Sequence, residues 1–254
     1  MKVTLLQTDI AWGEPEENLR RAEKLIAEHP GSDLYVLPEM FTTGFATSSD
    51  SKIDEDPSRT LAWMKRIASE GDCAVAGSVA LCEGESCYNR LFFVEPDGRV
   101  TSYDKRHLFT FGGERERFSP GDKRVIVEFR GWRFLLLVCY DLRFPVWSKC
   151  KGEYDAIICV ANWPEARQRN WETLAEARAV ENQCYALAVN RVGEDPVCKY
   201  LGGTAVVHPF GDRIVRCPDG EVSAVTAELD LKFLSIYRKS FTAIKDGDDF
   251  QIVL

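Results

Sequence analysis

The sequence predicts an α/β fold in which two mixed β-sheets pack on each other with helices outside. Strand-like and helix-like segments alternate over the first 79 residues, which is typical of parallel strands joined by helices. Farther along the chain, pairs of strand-like runs meet at tight turns, which is typical of antiparallel hairpins. Strand pairs interspersed with amphipathic helices therefore favour a layered arrangement.

The first half of the chain contains five predicted strands and two predicted helices. The first helix begins at Pro15, because proline is favoured in a first turn, and Pro30-Gly31 ends it. The turn at 95–98, Glu-Pro-Asp-Gly, joins the last two strands as a hairpin. The predicted strands are Val3 to Thr8, Asp33 to Leu37, Ala74 to Val79, Asn89 to Val94 and Arg99 to Tyr103, and the second helix is Ser58 to Glu70.

The second half repeats both patterns. A strand pair meets across Arg130-Gly131, and its second member is a continuous apolar run that ends at Cys139. This pair is Val125 to Phe129 and Trp132 to Val138, and a short helix follows it. The later predicted strands are Ala156 to Val160, Tyr185 to Val192, Thr204 to Val207, Ile214 to Arg216 and Val222 to Leu229, with helices at about Gln168 to Gln183 and Leu231 to Lys239.

The chain contains no repeat, low-complexity tract or Pro/Gly/Ser-rich linker, so we expect one domain over residues 1–254. A doubly wound dinucleotide-binding fold is the competing layout. It requires a glycine-rich turn after the first strand, and the segment at 9–13, Asp-Ile-Ala-Trp-Gly, lacks that spacing.

The charge balance excludes two classes of partner. The chain has 32 Lys plus Arg and 40 Asp plus Glu, a formal net charge of −8, and no long basic run. Nucleic acid and anionic membrane surfaces are therefore poor candidates, because both are bound through clustered positive charge. We expect a small-molecule partner instead.

Nine cysteines are scattered along the chain. The odd number argues against a secreted disulfide framework. The N-terminal segment turns polar after Leu6, unlike a signal peptide, and the apolar run Phe134 to Val138 is too short to span a membrane. We therefore expect a cytoplasmic protein with free thiols.

Cys139 has the most distinctive context of the nine cysteines. An apolar strand delivers it to a sudden polar turn, where a thiol can face a cleft while its backbone is held rigidly. The N–H of Tyr140 can there point at a developing oxyanion. The alternative is a core cysteine used as a small apolar residue, which is how we interpret the other eight.

A nucleophilic thiol needs a base, and the histidines are poorly placed to supply one. His29 ends a helix and His208 lies in a turn, so a Cys–His pair would have to use His107. Glu39 and Lys105 instead lie at strand ends, as Cys139 does. A carboxylate can take the thiol proton, and an ammonium can favour the thiolate and stabilise an oxyanion. Taken singly, Glu39 could cap a turn and Lys105 could be a solvated surface lysine.

Together these segments resemble the nitrilase, or carbon–nitrogen hydrolase, superfamily. The three motifs that carry the resemblance are Leu-Pro-Glu-Met-Phe at 37–41, Tyr-Asp-Lys-Arg-His-Leu-Phe at 103–109 and Val-Cys-Tyr-Asp-Leu-Arg-Phe-Pro at 138–145. The resemblance implies a four-layer αββα sandwich, a homodimer paired through helices, and a Glu39-Lys105-Cys139 triad. It implies neither a cofactor nor a metal. The family's second glutamate is best matched by Glu114, with Glu116 as the other candidate.

Within the superfamily, the sequence is most similar to the ω-amidase branch, which hydrolyses 2-oxoglutaramate and 2-oxosuccinamate to 2-oxo acids and ammonia. Such a substrate needs a cation for its distal carboxylate. Proximity to the motifs makes Arg143, Arg115 and Arg117 the candidates, although Arg143 could instead pair with Asp141. The other residues expected to contact the substrate are Phe41, Tyr140, Asn162 and Trp163.

Several alternatives stay open at this point. Tyr140 stands where nitrilases usually carry tryptophan, so an amide is favoured over a nitrile as substrate. Deaminated glutathione and N-carbamoyl compounds are other possible substrates. A non-enzymatic thiol or metal protein would use Cys82 and Cys87, which lie before a predicted hairpin in what we interpret as a loop, but no second Cys/His pair completes a zinc site. A scaffold that has lost its activity is a third class.

Overall fold

A computed structural model describes residues 1–47, 53 and 56–252 of the protein. The strands are β1 (Lys2–Gln7), β2 (Leu34–Val36), β3 (Ala74–Glu83), β4 (Ser86–Val94), β5 (Val100–Asp104), β6 (Ile126–Phe129), β7 (Trp132–Val138), β8 (Ala156–Ala161), β9 (Tyr185–Asn190), β10 (Val192–Glu194), β11 (Lys199–Leu201), β12 (Ala205–Val207), β13 (Arg213–Arg216) and β14 (Ser223–Glu228). The α-helices are α1 (Pro15–Glu28), α2 (Pro57–Gly71), α3 (Glu114–Arg117), α4 (Pro145–Ser148), α5 (Gln168–Glu181) and α6 (Leu231–Ser240).

Two six-stranded mixed sheets form the centre of the molecule. The first has the strand order β14-β1-β2-β3-β4-β5, and β1, β2 and β3 are parallel to one another. The second has the order β13-β12-β9-β8-β7-β6, and β7, β8 and β9 are parallel. A hairpin closes each parallel block, which explains why the sequence shows both crossover helices and tight turns.

The main core lies between the two sheets. It contains apolar side chains from both, and Phe93 of the first sheet packs on Phe134 of the second with ring centroids 6.1 Å apart. Helices α1 and α2 cover the outer face of the first sheet with side chains such as Leu25 and Met64, while α5 buries Trp171 against the second. The four-layer αββα sandwich is therefore confirmed.

One hairpin differs from the sequence-based expectation. β3 runs to Glu83 and pairs with β4, so Cys82 and Cys87 face each other across the strands and form a disulfide. The interpretation of this segment as a loop with two free thiols is therefore wrong. The pattern was misleading because the end of the hairpin projects past the core, so its residues are polar without being a loop.

The predicted strand Tyr185 to Val192 is also divided. β9 ends at Asn190, and Val192 begins β10, which forms a separate two-stranded sheet with β11. No helix in the described ranges is long and apolar enough to cross a membrane. The single domain over 1–254 and the cytoplasmic location stay predictions. Residues 48–52, 54–55 and 253–254 lie outside the described residues.

Candidate active site

Four of the residues that the sequence singled out follow strands of two different sheets. Glu39 follows β2, and Lys105 follows β5, so the first sheet supplies both. Cys139 follows β7, and Asn162 follows β8, so the second sheet supplies these two. Because the carboxyl ends of the parallel strands meet at one edge of each sheet, docking the two sheets brings the four residues together.

Cys139 occupies a sharp turn between β7 and a 3-10 helix over Cys139–Arg143. Its φ of 48° lies in the left-handed region, which a residue with a Cβ rarely adopts. Only 8% of the residue is exposed, yet it lines a cavity. A strained strand-to-helix turn of this kind presents a nucleophile to substrate while holding its backbone still.

Lys105 lies between two buried carboxylates. Its Nζ donates to Glu39 Oε1 at 2.9 Å and to Glu114 Oε2 at 2.8 Å and Oε1 at 3.0 Å. None of the three side chains is exposed to solvent. An ammonium has three N–H donors, and three oxygens of the two glutamates accept from them, so holding Glu114 through a single oxygen would leave one N–H for another acceptor.

Asn89, in β4, ties the two glutamates to each other. Its Nδ2 donates to Glu39 Oε1 at 2.7 Å and to Glu114 Oε1 at 3.0 Å, and its Oδ1 accepts from Ser78 Oγ. Asn162 holds Glu39 from the opposite sheet, because its backbone N–H donates to Glu39 Oε2 at 2.7 Å. No functional signal marks Asn89 in the sequence, where it is only the first residue of a predicted strand.

Burial and mutual charge set the protonation states of this cluster. Burial and the nearby Glu39 carboxylate raise the pKa of the Cys139 thiol well above its usual value, so the resting thiol is neutral. Burial alone would lower the pKa of Lys105, but Glu114 and Glu39 outweigh it and raise that pKa well above its usual value. Burial and the repulsion of Glu39 raise the pKa of Glu114.

A buried aspartate joins the Cys139 turn to the segment that carries Lys105. Asp141 Oδ2 accepts from the Tyr103 hydroxyl at 2.7 Å and from the Val138 N–H at 3.0 Å. Its Oδ1 accepts from the His107 N–H at 2.9 Å and lies 2.8 Å from His107 Nδ1. Asp141 is therefore not the partner of Arg143, and it fixes the lysine segment relative to the thiol.

The cavity beside Cys139 has a volume of about 460 Å³, which suits a small organic molecule. Of the residues expected to contact substrate, Tyr140, Arg143, Asn162 and Trp163 line it. The other lining residues are mostly aromatic or apolar, with a few polar groups: Trp12, Phe45, Thr47, Phe109, Phe111, Gly112, Pro164, Arg167, Asp195, Pro196, Val197, Cys198 and Tyr200.

Phe41 does not line the cavity, so the prediction that it walls the pocket is corrected. Its side chain is buried in the core under α2, with its ring centroid 6.1 Å from that of Trp63. The residue beside Glu39, Met40, has a φ of 44°, so the chain turns sharply there and sends Phe41 to the far side of the sheet. Phe45, four residues later, lines the cavity instead.

The structure also separates the candidates around Glu114. Glu114 joins Lys105, whereas Glu116 is exposed. Arg115 is exposed as well, and Arg117 donates to the carbonyl of Ala46. Neither arginine lines the cavity, so the expectation that one of them contacts substrate is not supported by their placement.

Arg167 is a cavity residue that the sequence did not reveal. It ends a 3-10 helix over Glu165–Arg167, just before α5, in a stretch that reads as an ordinary polar helix start. The nearby motif Asn-Trp-Pro at 162–164 was the only signal close to it.

Comparison with known proteins assigns the family. The carbon-nitrogen hydrolase family model matches residues 2–239. The chain is 43% identical to an Escherichia coli (strain K12) protein named omega-amidase YafV, covering 99% of this chain and 98% of the relative. It is 35% identical to the 2-oxoglutaramate amidase of Bacillus subtilis (strain 168), covering 96% of each.

A solved structure agrees in fold over the whole chain. It is a Xanthomonas campestris protein, XC1258, described as a CN-hydrolase superfamily protein with an arsenic adduct in the active site. The two share 38% of their residues with a TM-score of 0.95, and the alignment covers 100% of this chain and 99% of the other. The resemblance seen in the three motifs is thereby confirmed. The chain belongs to the carbon–nitrogen hydrolase family, as an enzyme that hydrolyses amides.

Proposed function

We propose that the protein is an ω-amidase that hydrolyses the terminal carboxamide of a small 2-oxo acid amide, such as 2-oxoglutaramate or 2-oxosuccinamate. The observation that carries the proposal is a neutral thiol, Cys139, held at the cavity beside the buried Glu39-Lys105-Glu114 cluster. The names of the relatives from Escherichia coli and Bacillus subtilis support this choice of substrate.

The first step is proton removal by Glu39. Because the resting thiol of Cys139 is neutral, it needs a base before it can attack. The Glu39 carboxylate is fixed by three donors, from Asn89, Lys105 and the Asn162 N–H, and it influences the thiol electrostatically. The thiolate then forms a bond to the amide carbon, and the carbonyl oxygen becomes an oxyanion.

Lys105 and the Tyr140 N–H stabilise that oxyanion. The raised pKa of Lys105 keeps it an ammonium at neutral pH, so it acts as a donor and not as a base. Tyr140 lies next to Cys139 in the same 3-10 helix and lines the cavity. Donors fixed in advance at the site of developing charge lower the barrier, by about 3 kcal/mol each.

Collapse of the tetrahedral intermediate gives a thioester. The C–N bond breaks, the nitrogen takes the proton held by Glu39, and ammonia leaves. Water then attacks the thioester carbon and gives a proton to Glu39. The C–S bond breaks, the thiolate regains that proton, and the carboxylic acid departs. Glu114 accepts from Lys105 Nζ through both oxygens and is itself held by Asn89 and the N–H of Phe109, so its role is to orient the lysine.

A panel of steady-state rates tests the substrate assignment. We expect kcat/KM to be highest for 2-oxoglutaramate among 2-oxoglutaramate, glutamine, deaminated glutathione, an N-carbamoyl amino acid and a simple nitrile. Intact-mass spectrometry of rapidly quenched reactions should show an acyl adduct that maps to Cys139. Faster turnover of deaminated glutathione or of the carbamoyl compound would move the protein to another branch of the family.

Asn89 provides a test of the positioning network. Asn89→Leu removes both donors that align Glu39 and Glu114, and we expect kcat to fall by about 10- to 100-fold with KM nearly unchanged. Asn89→Asp keeps the shape but adds a third carboxylate to the cluster, so its loss should be larger. Ser78→Ala removes the donor to Asn89 Oδ1 and the acceptor of the Met40 N–H, but it leaves both donors of Asn89 to the glutamates, so its loss should be smaller. Equal activities of the Asp and Leu variants would contradict the expectation that a third carboxylate in the cluster lowers activity further.

We also propose that the chain forms a homodimer, which the apolar surface at α6 supports. Phe210, Ile236 and Phe241 are each more than half exposed, and Phe210 packs edge-on to Tyr237 with ring centroids 4.6 Å apart. Exposed apolar patches of this kind commonly mark an interface. Sedimentation equilibrium should give a dimer for the native chain and a monomer for Ile236→Lys. A monomeric native chain would contradict this proposal.

A further inference from the structure

Two guanidinium groups line the cavity without an anionic partner among the residues that the structure describes. Arg143 and Arg167 are both half-buried there, and neither makes an ion pair or a side-chain hydrogen bond with any residue in 1–47, 53 or 56–252. Fourteen other arginines of the described ranges do form ion pairs. The pair at the cavity therefore keeps its donors available for a ligand.

Aromatic rings hold both groups in place. The guanidinium of Arg143 lies 4.8 Å from the ring centroid of Trp163, and that of Arg167 lies 5.3 Å from that of Phe109. The Trp163 Nε1–H also donates to the Arg167 carbonyl at 2.9 Å, so the ring under one arginine is tied to the backbone of the other. Stacked guanidinium groups lose little further freedom when they bind a planar anion.

We propose that Arg143 and Arg167 together form the carboxylate-binding end of the cavity, with Arg167 as a specificity-determining residue. This inference rests on the proposed ω-amidase function and names the residues that would bind the carboxylate end of its substrate. A guanidinium presents parallel N–H donors that match the two oxygens of a carboxylate, which a lysine cannot do.

The distribution of charge also sets the direction of the substrate. The cluster beside Cys139 contains two carboxylates and one ammonium, so it repels an anion, whereas Arg143 and Arg167 attract one. Asp195 also lines the cavity, but its oxygens accept from Tyr200 Oη at 2.5 Å and from the N–H groups of 197 and 198. A substrate with an amide at one end and a carboxylate at the other is therefore oriented with its amide at Cys139.

The test compares an anionic and a neutral amide on matched variants. We expect Arg167→Met and Arg143→Met each to lower kcat/KM for 2-oxoglutaramate by about 10- to 100-fold, while kcat/KM for uncharged pentanamide changes little. Arg167→Lys should recover part of the loss, since it restores the positive charge without the parallel N–H donors of a guanidinium. Arg169→Met is the matched control, because Arg169 is exposed, lies outside the cavity lining and should leave both rates unchanged.

Binding of the product analogue 2-oxoglutarate, measured by calorimetry on the same variants, separates affinity from turnover. Binding should weaken in Arg167→Met and become less sensitive to salt. An equal loss on both amides in a variant that melts like the native chain would overturn the inference, because it would show that Arg167 only supports the wall of the cavity. No loss on either amide would overturn it as well. A native enzyme that prefers pentanamide would instead refute the proposed function itself.

Discussion

Cys139→Ala is expected to abolish amide hydrolysis, with a loss of about 10⁴-fold or more in kcat, while the fold survives. Nothing else at the turn can form the thioester, and removal of a covalent nucleophile typically costs several orders of magnitude. Alanine keeps the Cβ and removes only the sulfur atom, and because the resting thiol is neutral the change adds no charge to the buried cluster. Circular dichroism and thermal unfolding should therefore resemble those of the native chain, and kcat should fall to background.

Cys198 provides the decisive control for this variant. It also lines the cavity and is partly exposed, so it is the alternative thiol that an alkylating reagent could reach. Cys198→Ala should retain turnover, and iodoacetamide protection by substrate should map to Cys139 in peptide digests. Activity that survives in Cys139→Ala but disappears in Cys198→Ala would show that Cys198, and not Cys139, is the nucleophile.

Lys105→Met should lower kcat by about 10³-fold or more and should also destabilise the protein. The variant loses an oxyanion donor, which alone costs about 10² to 10³ in rate. It also leaves Glu39 and Glu114 facing each other without the ammonium that bridges them. Uncompensated buried charge costs about 3–5 kcal/mol of folding free energy, so the melting temperature should fall clearly.

A double variant separates these two effects. Adding Glu114→Gln to Lys105→Met removes one of the two carboxylates, so stability should recover while activity does not. Acid should also help the single variant: the pKa of Glu114 is already raised in the native chain, and a carboxyl whose pKa is higher in the folded state stabilises the fold at low pH and loses that effect as pH rises. Near-native kcat in Lys105→Met would refute the assigned role.

Residue context in the sequence was enough to predict the fold, the buried Glu39-Lys105 pair and the cysteine that lines the cavity beside it. Glu39, Lys105 and Cys139 each stand at the end of a strand-like run, where the backbone is held rigidly beside a polar turn. Asn89 could not be found this way, because its contacts exist only once β4 lies beside β3 and brings the amide to both glutamates. Arg167 was hidden for a similar reason, since it reaches the cavity only after α5 docks.

Side-chain direction was the weaker part of the prediction. Phe41 and Phe45 are both aromatic residues after the same strand, and only the turn at Met40 decides which of them faces the cavity. The prediction for the hairpin that carries Cys82 and Cys87 failed for another reason. A strand that projects past the core loses its apolar pattern. Local sequence indicates which residues favour a strand, but it does not indicate where the packed strands leave a cavity or where a strand extends past the core.

Because the site is divided between two sheets, the activity of the enzyme depends on how the two sheets pack. Glu39 and Lys105 follow strands of the first sheet and Cys139 follows a strand of the second, so neither sheet alone contains all the residues of the proposed centre. Turnover therefore measures how well the halves of the sandwich fit, and it should be lost at lower denaturant than the secondary structure is. The same property suits the chain to fragment complementation, in which activity appears only when two separately made pieces dock in register.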